Sequence, residues 1–275
     1  HHVELISGLR CSIQSQHLHR CRGTGFLQFM TAMVKHCFDL TIMSAGKDNI
    51  PYLQLTGLNP GRELNIADIG CGSGAHTLVL AQNTRAQLTA VDLFPAFLKR
   101  LEVRAEELQL QSRITTLQAS MEELPFAPES FDVLWSEGAI YSMGFEAGLQ
   151  AWKPFLQNGG YLCVSEIDWI TNSRPKAIED FWQSGYPEIG TAADKIRVLE
   201  KHGYSLRGYF YLSPDSWMEE YYRPLQQRFP AFLERHQYHD DARAVVKEHQ
   251  EEIALYEQYR AYYSYGFYVA RKDDR

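Results

Sequence analysis

No apolar run in the chain approaches the roughly 20 residues that a membrane-spanning helix needs, and no signal-peptide-like apolar stretch stands near its start. Cysteine is scarce. There are five, Cys11, Cys21, Cys37, Cys71 and Cys163, an odd and scattered set. That argues against a disulfide framework and fits a reducing cytoplasm. Positive charge is outnumbered: 27 Lys and Arg face 34 Asp and Glu, a formal net charge of −7. A general nucleic-acid surface wants the opposite sign. Internal repeats and low-complexity linkers are also missing, which leaves one compact domain with helical insertions as the simplest reading. What is plentiful is apolar and aromatic content, 45% and 13% of 275 residues. Such a chain can bury a sizeable core and is not disordered on a large scale.

From residue 64 onward, strand-like and helix-like stretches alternate. Residues 64–69, 87–92, 114–118, 131–136 and 161–167 read as strands, the last opened by Gly159-Gly160. Residues 75–83, 94–110 and 145–156 carry apolar residues at helical spacing. Strands separated by helices imply βαβ units and a largely parallel sheet. Residues 168–190 read as irregular, 191–202 as a helix and 204–212 as a sixth strand. Residues 213–263 read as largely helical and 265–270 as a closing strand. The predicted fold is α/β, a Rossmann-like, seven-stranded, mostly parallel sheet with helices on both faces and a helical insertion near the C-terminus. Residues 1–55 are expected to form a helical or irregular extension whose His1-His2 opening reads as a tag remnant or a fragment edge; residues 56–275 form the main domain. Cys11, His17, His19 and Cys21 match no tetrahedral ligand spacing, so no metal site is expected.

The stretch ADIGCGSGAHTL, residues 67–78, concentrates the chemistry. Gly70, Gly72 and Gly74 alternate between an apolar strand and a helix start. Glycine lets backbone approach a ligand closely, and a helix start offers unpaired N–H groups. Asp68 precedes the turn. Asp92 closes the next strand, where a carboxylate can accept hydrogen bonds from both hydroxyls of a ribose or serve as the N-cap of the helix that follows.

The D-x-G-x-G-x-G spacing resembles the first motif of class I S-adenosylmethionine (SAM) dependent methyltransferases. LTAVDLFPAFL (88–98) is similar to their second motif. ASMEELPFAPESFDVLWSEGAIY (119–141) resembles the adenine-side turn and fourth strand, and LQNGGYLCVSE (156–166) the lead into the fifth. The resemblance runs in order over residues 64–167 and is nearest to type-11 methyltransferases of small molecules, in a bacterial branch. Where that family often has Asp in the adenine-side turn, this chain has Ser120-Met121.

The resemblance implies transfer of a methyl group from SAM to a small-molecule acceptor by in-line displacement. It places the cofactor on Asp68, Gly70, Cys71, Gly72 and Gly74, with Asp92 on the ribose hydroxyls. Leu93 would lie against adenine, with Ser120, Met121 and Glu122 on its other side. Glu137 would sit nearest the transferred methyl group. Glu137, Tyr141 and Glu166 are the catalytic candidates, with Glu146, Asp168 and Trp169 also on the acceptor side. Glu137 and Glu146 lie nine residues apart, the offset of the guanidinium-binding glutamates of protein arginine methyltransferases; Glu146 equally suits the first turn of a helix. Tyr221, Tyr222, Tyr256, Tyr259, Tyr262, Tyr263 and Tyr265 either line an amphipathic pocket or pack helices, packing being expected for most. Trp135 is expected in the core, and His76 at a surface or cap position. No nucleic-acid or membrane partner is expected; a homodimer is open. Two alternatives stand beside this reading: an NAD(P)-dependent oxidoreductase, for which no Tyr-x-x-x-Lys pair follows the later strands, and a non-catalytic SAM-binding module.

Overall fold

The computed structural model describes residues 56–274. The extension expected over 1–55, with Cys11, His17, His19, Cys21 and Cys37, lies outside the described residues.

The strands are β1 (Asn65–Ile69), β2 (Gln87–Asp92), β3 (Ile114–Gln118), β4 (Phe131–Ser136), β5 (Leu156–Trp169), β6 (Gly190–Thr191), β7 (Tyr204–Tyr211) and β8 (Tyr263–Lys272). The helices are α1 (Ala75–Asn83), α2 (Pro95–Glu107), α3 (Phe145–Trp152), α4 (Lys176–Gly185), α5 (Ala192–Lys201), α6 (Pro214–Trp217), α7 (Arg223–Arg235) and α8 (Asp240–Tyr259). One sheet runs in the order β3-β2-β1-β4-β5-β8-β7, and two-residue β6 pairs with the end of β5. Strands β1 to β6 pair in parallel, and β8 runs antiparallel to both β5 and β7. The expected seven-stranded, mostly parallel sheet is therefore present, with β6 as a short addition.

Alternation along the strands sorts side chains to two faces. Ile66, Leu88, Val133, Trp135 and Cys163 pack with α1 and α2 through Leu78, Leu98 and Leu101. Ala67, Ile69, Leu134, Leu162 and Val164 pack on the other face with Phe145, Leu149 and Trp152 of α3 and Leu199 of α5. Strands covered on both faces read as near-continuous apolar runs, as β1 and β4 do.

Two expectations are corrected here. The 168–190 stretch is not all irregular: residues 176–185 form α4, an amphipathic helix burying Ile178 and Gly185. Strand β5 starts at Leu156 rather than 161 and runs 14 residues, so Gly159-Gly160 lies inside it. Its last residues, Ile167 and Trp169, leave the sheet core and join a third apolar cluster with α4, α7 and α8. There Trp217 stacks on Tyr265 at 5.1 Å and on Tyr256 at 4.8 Å. A π-helical turn, Met218–Tyr222, joins α6 to α7 and brings Tyr221 and Tyr222 into the same cluster. Fully burying a large apolar side chain stabilises by roughly 1.5–3 kcal/mol, so this aromatic cap is held to the sheet chiefly by packing.

Candidate active site

The glycine turn is anchored to β2. The N–H groups of Gly70 and Cys71 both donate to the Val91 carbonyl at 2.9 Å. Gly72 N–H donates to Asp92 Oδ2, and Phe94 N–H to Asp92 Oδ1, each at 2.9 Å. Asp92 thus sits where the sequence placed it, and it also fixes the turn and starts α2. Gly70 has φ +77° and its backbone lies so close to Ala139 that a side chain would collide. Gly72, at φ +55°, opens instead onto free space, with nothing within 4 Å of where a Cβ would be. Leu93 is 56% exposed beside it. Met121 approaches Gly70 with its methyl group and accepts a hydrogen bond from Trp152 Nε1 at 2.9 Å through its carbonyl. Ser120 Oγ accepts from Glu122 N–H at 3.2 Å and shapes that turn.

Asp68 is corrected. It does not reach the cleft but is buried beneath the turn, where the Thr77 hydroxyl of α1 donates to its Oδ2 at 2.5 Å. Its Oδ1 has no hydrogen-bond partner. Burial pushes the carboxyl up to about 7, the Thr77 bond opposing. Gly74 is likewise turned away from the cleft, packed against Leu101 of α2.

Past the turn, Glu137 follows β4. Trp135 Nε1 donates to its Oε1 at 2.7 Å, and His76 Nε2 stands 3.3 Å from its Oε2. His76 is therefore no surface or cap residue: it is buried on the inner side of α1. The next residue, Gly138, donates its N–H to Ser165 Oγ of β5 at 2.8 Å.

From here a cavity of about 130 Å³ opens, room for roughly ten water-sized groups. Gly70, Cys71, Gly72, Ser73, His76 and Glu137 line one end. Tyr141, Phe181, Trp182, Tyr186, Trp217, Tyr221, Tyr222, Tyr263 and Tyr265 surround the rest, together with Glu252 of α8. Burial pushes the Tyr141 hydroxyl's pKa up and the Cys71 thiol well up, so neither is a ready anion at neutral pH. Glu252 takes a hydrogen bond from the Tyr222 hydroxyl at 2.9 Å. Sequence reasoning missed it. A signal was there: at 245, 249, 252 and 256 a carboxylate stands in an otherwise apolar or aromatic-and-histidine face of a helix. It also missed Phe181, Trp182 and Tyr186, which stand in or just after α4.

Several expected acceptor-side residues are elsewhere. Ser165 and Ile167 line the cavity, so alternation turns Glu166 and Asp168 to the opposite face of β5. Glu166 is fully buried against Lys195 of α5, Oε1 to Nζ 3.3 Å; burial pushes its carboxyl up, with Lys195 opposing. Asp168 accepts from the Tyr268 hydroxyl, and burial pushes it up to about 8. Trp169 packs in the cap beneath the Arg174 guanidinium, 4.1 Å from its ring. Glu146 lies in the first turn of α3, bound at the surface by Lys201 (2.6 Å) and His202 (2.7 Å). Those bonds hold its carboxyl below the usual range. The Glu137–Glu146 pair is not formed. Of the tyrosines, Tyr221, Tyr222, Tyr263 and Tyr265 reach the cavity, while Tyr256, Tyr259 and Tyr262 do not.

An open, mostly parallel sheet with a bare-backbone turn after β1 and a carboxylate ending β2 is an α/β architecture in which ligands bind at the carboxyl ends of the strands. Comparison with known proteins gives the particular kind. Residues 67–164 match the family described as a methyltransferase domain, type 11. The ubiquinone/menaquinone biosynthesis C-methyltransferase of Rhizobium leguminosarum is 31% identical over 144 residues, half of this chain and 56% of that protein. The chain thus spans little more than half the length of such relatives. A SAM-dependent methyltransferase from Geobacter sulfurreducens, solved with S-adenosyl-L-homocysteine, superposes with a TM-score of 0.76 at 17% identity, covering 88% of this chain and 96% of that one. A second, from Thiobacillus denitrificans, gives 0.69 at 19% identity over 79% and 87%. Both share the fold. Residues 67–164 are thus similar to a methyltransferase domain, set in a fold that these solved structures share.

Proposed function

We propose that the protein is a SAM-dependent methyltransferase acting on a small molecule held in the aromatic cavity. One observation carries this reading: a single cavity runs from the 70–73 turn past Glu137 into the aromatic chamber, so a cofactor site and an acceptor site adjoin. The turn fits the cofactor on its own geometry, because Gly72 leaves open space that any side chain would fill.

Bound there, SAM supplies a methyl carbon on a positively charged sulfur that becomes neutral on transfer. Asp92 would accept the ribose hydroxyls. The backbone of Gly70, Cys71 and Gly72 would support the methionine part, and Leu93, Ser120, Met121 and Glu122 would border adenine. Glu137, fixed by Trp135 and His76, would face the reacting end. Tyr141 would help orient the acceptor. Alignment of this kind can lower a barrier by roughly 7–11 kcal/mol without a strong acid or base. Residues 56–275 would form the catalytic unit, with 213–263 inserted as its cap. The acidic net charge supports a small acceptor over nucleic acid, and the cysteine usage supports the cytoplasm. A homodimer is compatible with this reading.

Calorimetry with SAM, S-adenosylhomocysteine and NADH, followed by transfer of label from methyl-tritiated SAM into a metabolite extract, tests the proposal. Binding of the two sulfur nucleosides and labelling of a metabolite are expected. Binding of NADH alone would overturn it; binding without transfer would leave a non-catalytic module.

A further inference from the structure

The chamber has a chemical bias that the fold does not require. Among the described residues, no Lys or Arg lines it. Its walls are largely aromatic side chains, and Trp217 stacks with both Tyr265 and Tyr256. Its charged lining groups are carboxylates and one histidine. Glu137 is already engaged by His76 and Trp135. Glu252 is different. The Tyr222 hydroxyl is its hydrogen-bond donor, and nearby His249 has Nδ1 against the Val245 carbonyl at 2.8 Å. A carboxylate set among aromatic rings is costly unless something positive meets it. Burial pushes the Glu252 carboxyl up, with His249 and the Tyr222 hydrogen bond opposing, and a cation in the chamber would hold it ionised. Aromatic faces attract the same kind of partner.

We propose that this chamber recognises a cationic amine, its ammonium group seated on the aromatic faces with Glu252 as counter-ion. The proposal rests on the reading of the glycine turn as the SAM site, and it names the acceptor class of that reaction. An amine suits both states. The substrate ammonium first loses its proton to solvent. The freed lone pair then forms the N–C bond while the C–S bond breaks with its electrons on sulfur. The positive charge passes to the methylated nitrogen, where the same wall holds it.

The test uses choline and its uncharged carbon isostere, 3,3-dimethylbutan-1-ol, titrated calorimetrically into the full chain saturated with S-adenosylhomocysteine. Choline is expected to bind about tenfold or more tighter than the alcohol. Glu252→Gln should remove that preference while leaving S-adenosylhomocysteine affinity within about twofold, and Glu252→Asp should retain the preference. Equal or tighter binding of the alcohol overturns the proposal and points to a neutral acceptor. A preference untouched in folded Glu252→Gln, or binding of neither probe, also overturns it. Should Glu252→Gln not fold, the choline comparison on the unaltered chain decides. If S-adenosylhomocysteine itself does not bind, the cofactor reading fails, and the same comparison on the free protein judges the chamber separately.

Discussion

Asp92 accepts the Gly72 N–H at 2.9 Å and so ties the end of β2 to the most open point of the glycine turn. The carboxylate proposed for the ribose is therefore held in place by the backbone it would share with the ligand. Asp92→Ala should weaken S-adenosylhomocysteine binding at least tenfold, about 1.4 kcal/mol or more. Calorimetry measures it. Unchanged affinity in a folded variant would remove Asp92 from the cofactor site.

The turn's glycines separate stability from binding. A side chain on Gly74 would meet Leu101 at φ +80°. Gly74→Ala should therefore lower stability by about 1–3 kcal/mol, read by denaturant unfolding. At Gly72 the space is open, so Gly72→Ala should cost less stability and instead weaken cofactor binding. The reverse ranking would show that the cleft is not where the nucleoside lies.

Glu137 is held by Trp135 and His76 at the junction of cradle and chamber. Glu137→Gln should reduce turnover of any identified acceptor more than it reduces S-adenosylhomocysteine affinity. Equal losses would assign Glu137 to the cofactor.

Asp168 gives a pH signature. Burial raises its carboxyl from 3.8 to about 8. The folded state therefore keeps a proton that the unfolded state has already lost. Between those values the unfolded chain binds fewer protons, so this group's contribution to stability falls as pH rises from about 4 to about 8. Asp168→Asn keeps an acceptor for the Tyr268 hydroxyl and removes the titration. Its stability relative to the unaltered protein should rise by about 1 kcal/mol or more from pH 5 to pH 8, one pKa unit being worth about 1.4 kcal/mol. Parallel stability curves in urea at the two pH values would contradict this.

The first half of the fold was legible because its signals are local. An apolar run, three alternating glycines and an acid fix β1, the turn and β2 within 28 residues, and α1, β2, β3 and β4 fall at the expected positions. The cap was harder. Residues 176–185 carry an amphipathic pattern interrupted by aromatics, and their apolar face makes sense only against α7 and α8, some 50 residues on. The acceptor-side glutamates were misplaced for a simpler reason. Where a strand passes the sheet's end, a single position decides the face: Ser165 points into the cavity and Glu166 away from it. Glu146 was claimed by Lys201 and His202, more than 50 residues later in sequence. Long-range partners of this kind leave no trace in local spacing.

The unbroken course of β5 from the sheet into the cap limits how this protein can diversify. Removing the three late helices would bare Ile167, Trp169 and Tyr263, an apolar ledge that invites aggregation. On the proposed function, new acceptor preferences are therefore open to it through exchanges on the inner surfaces of those helices, and closed to it through their loss.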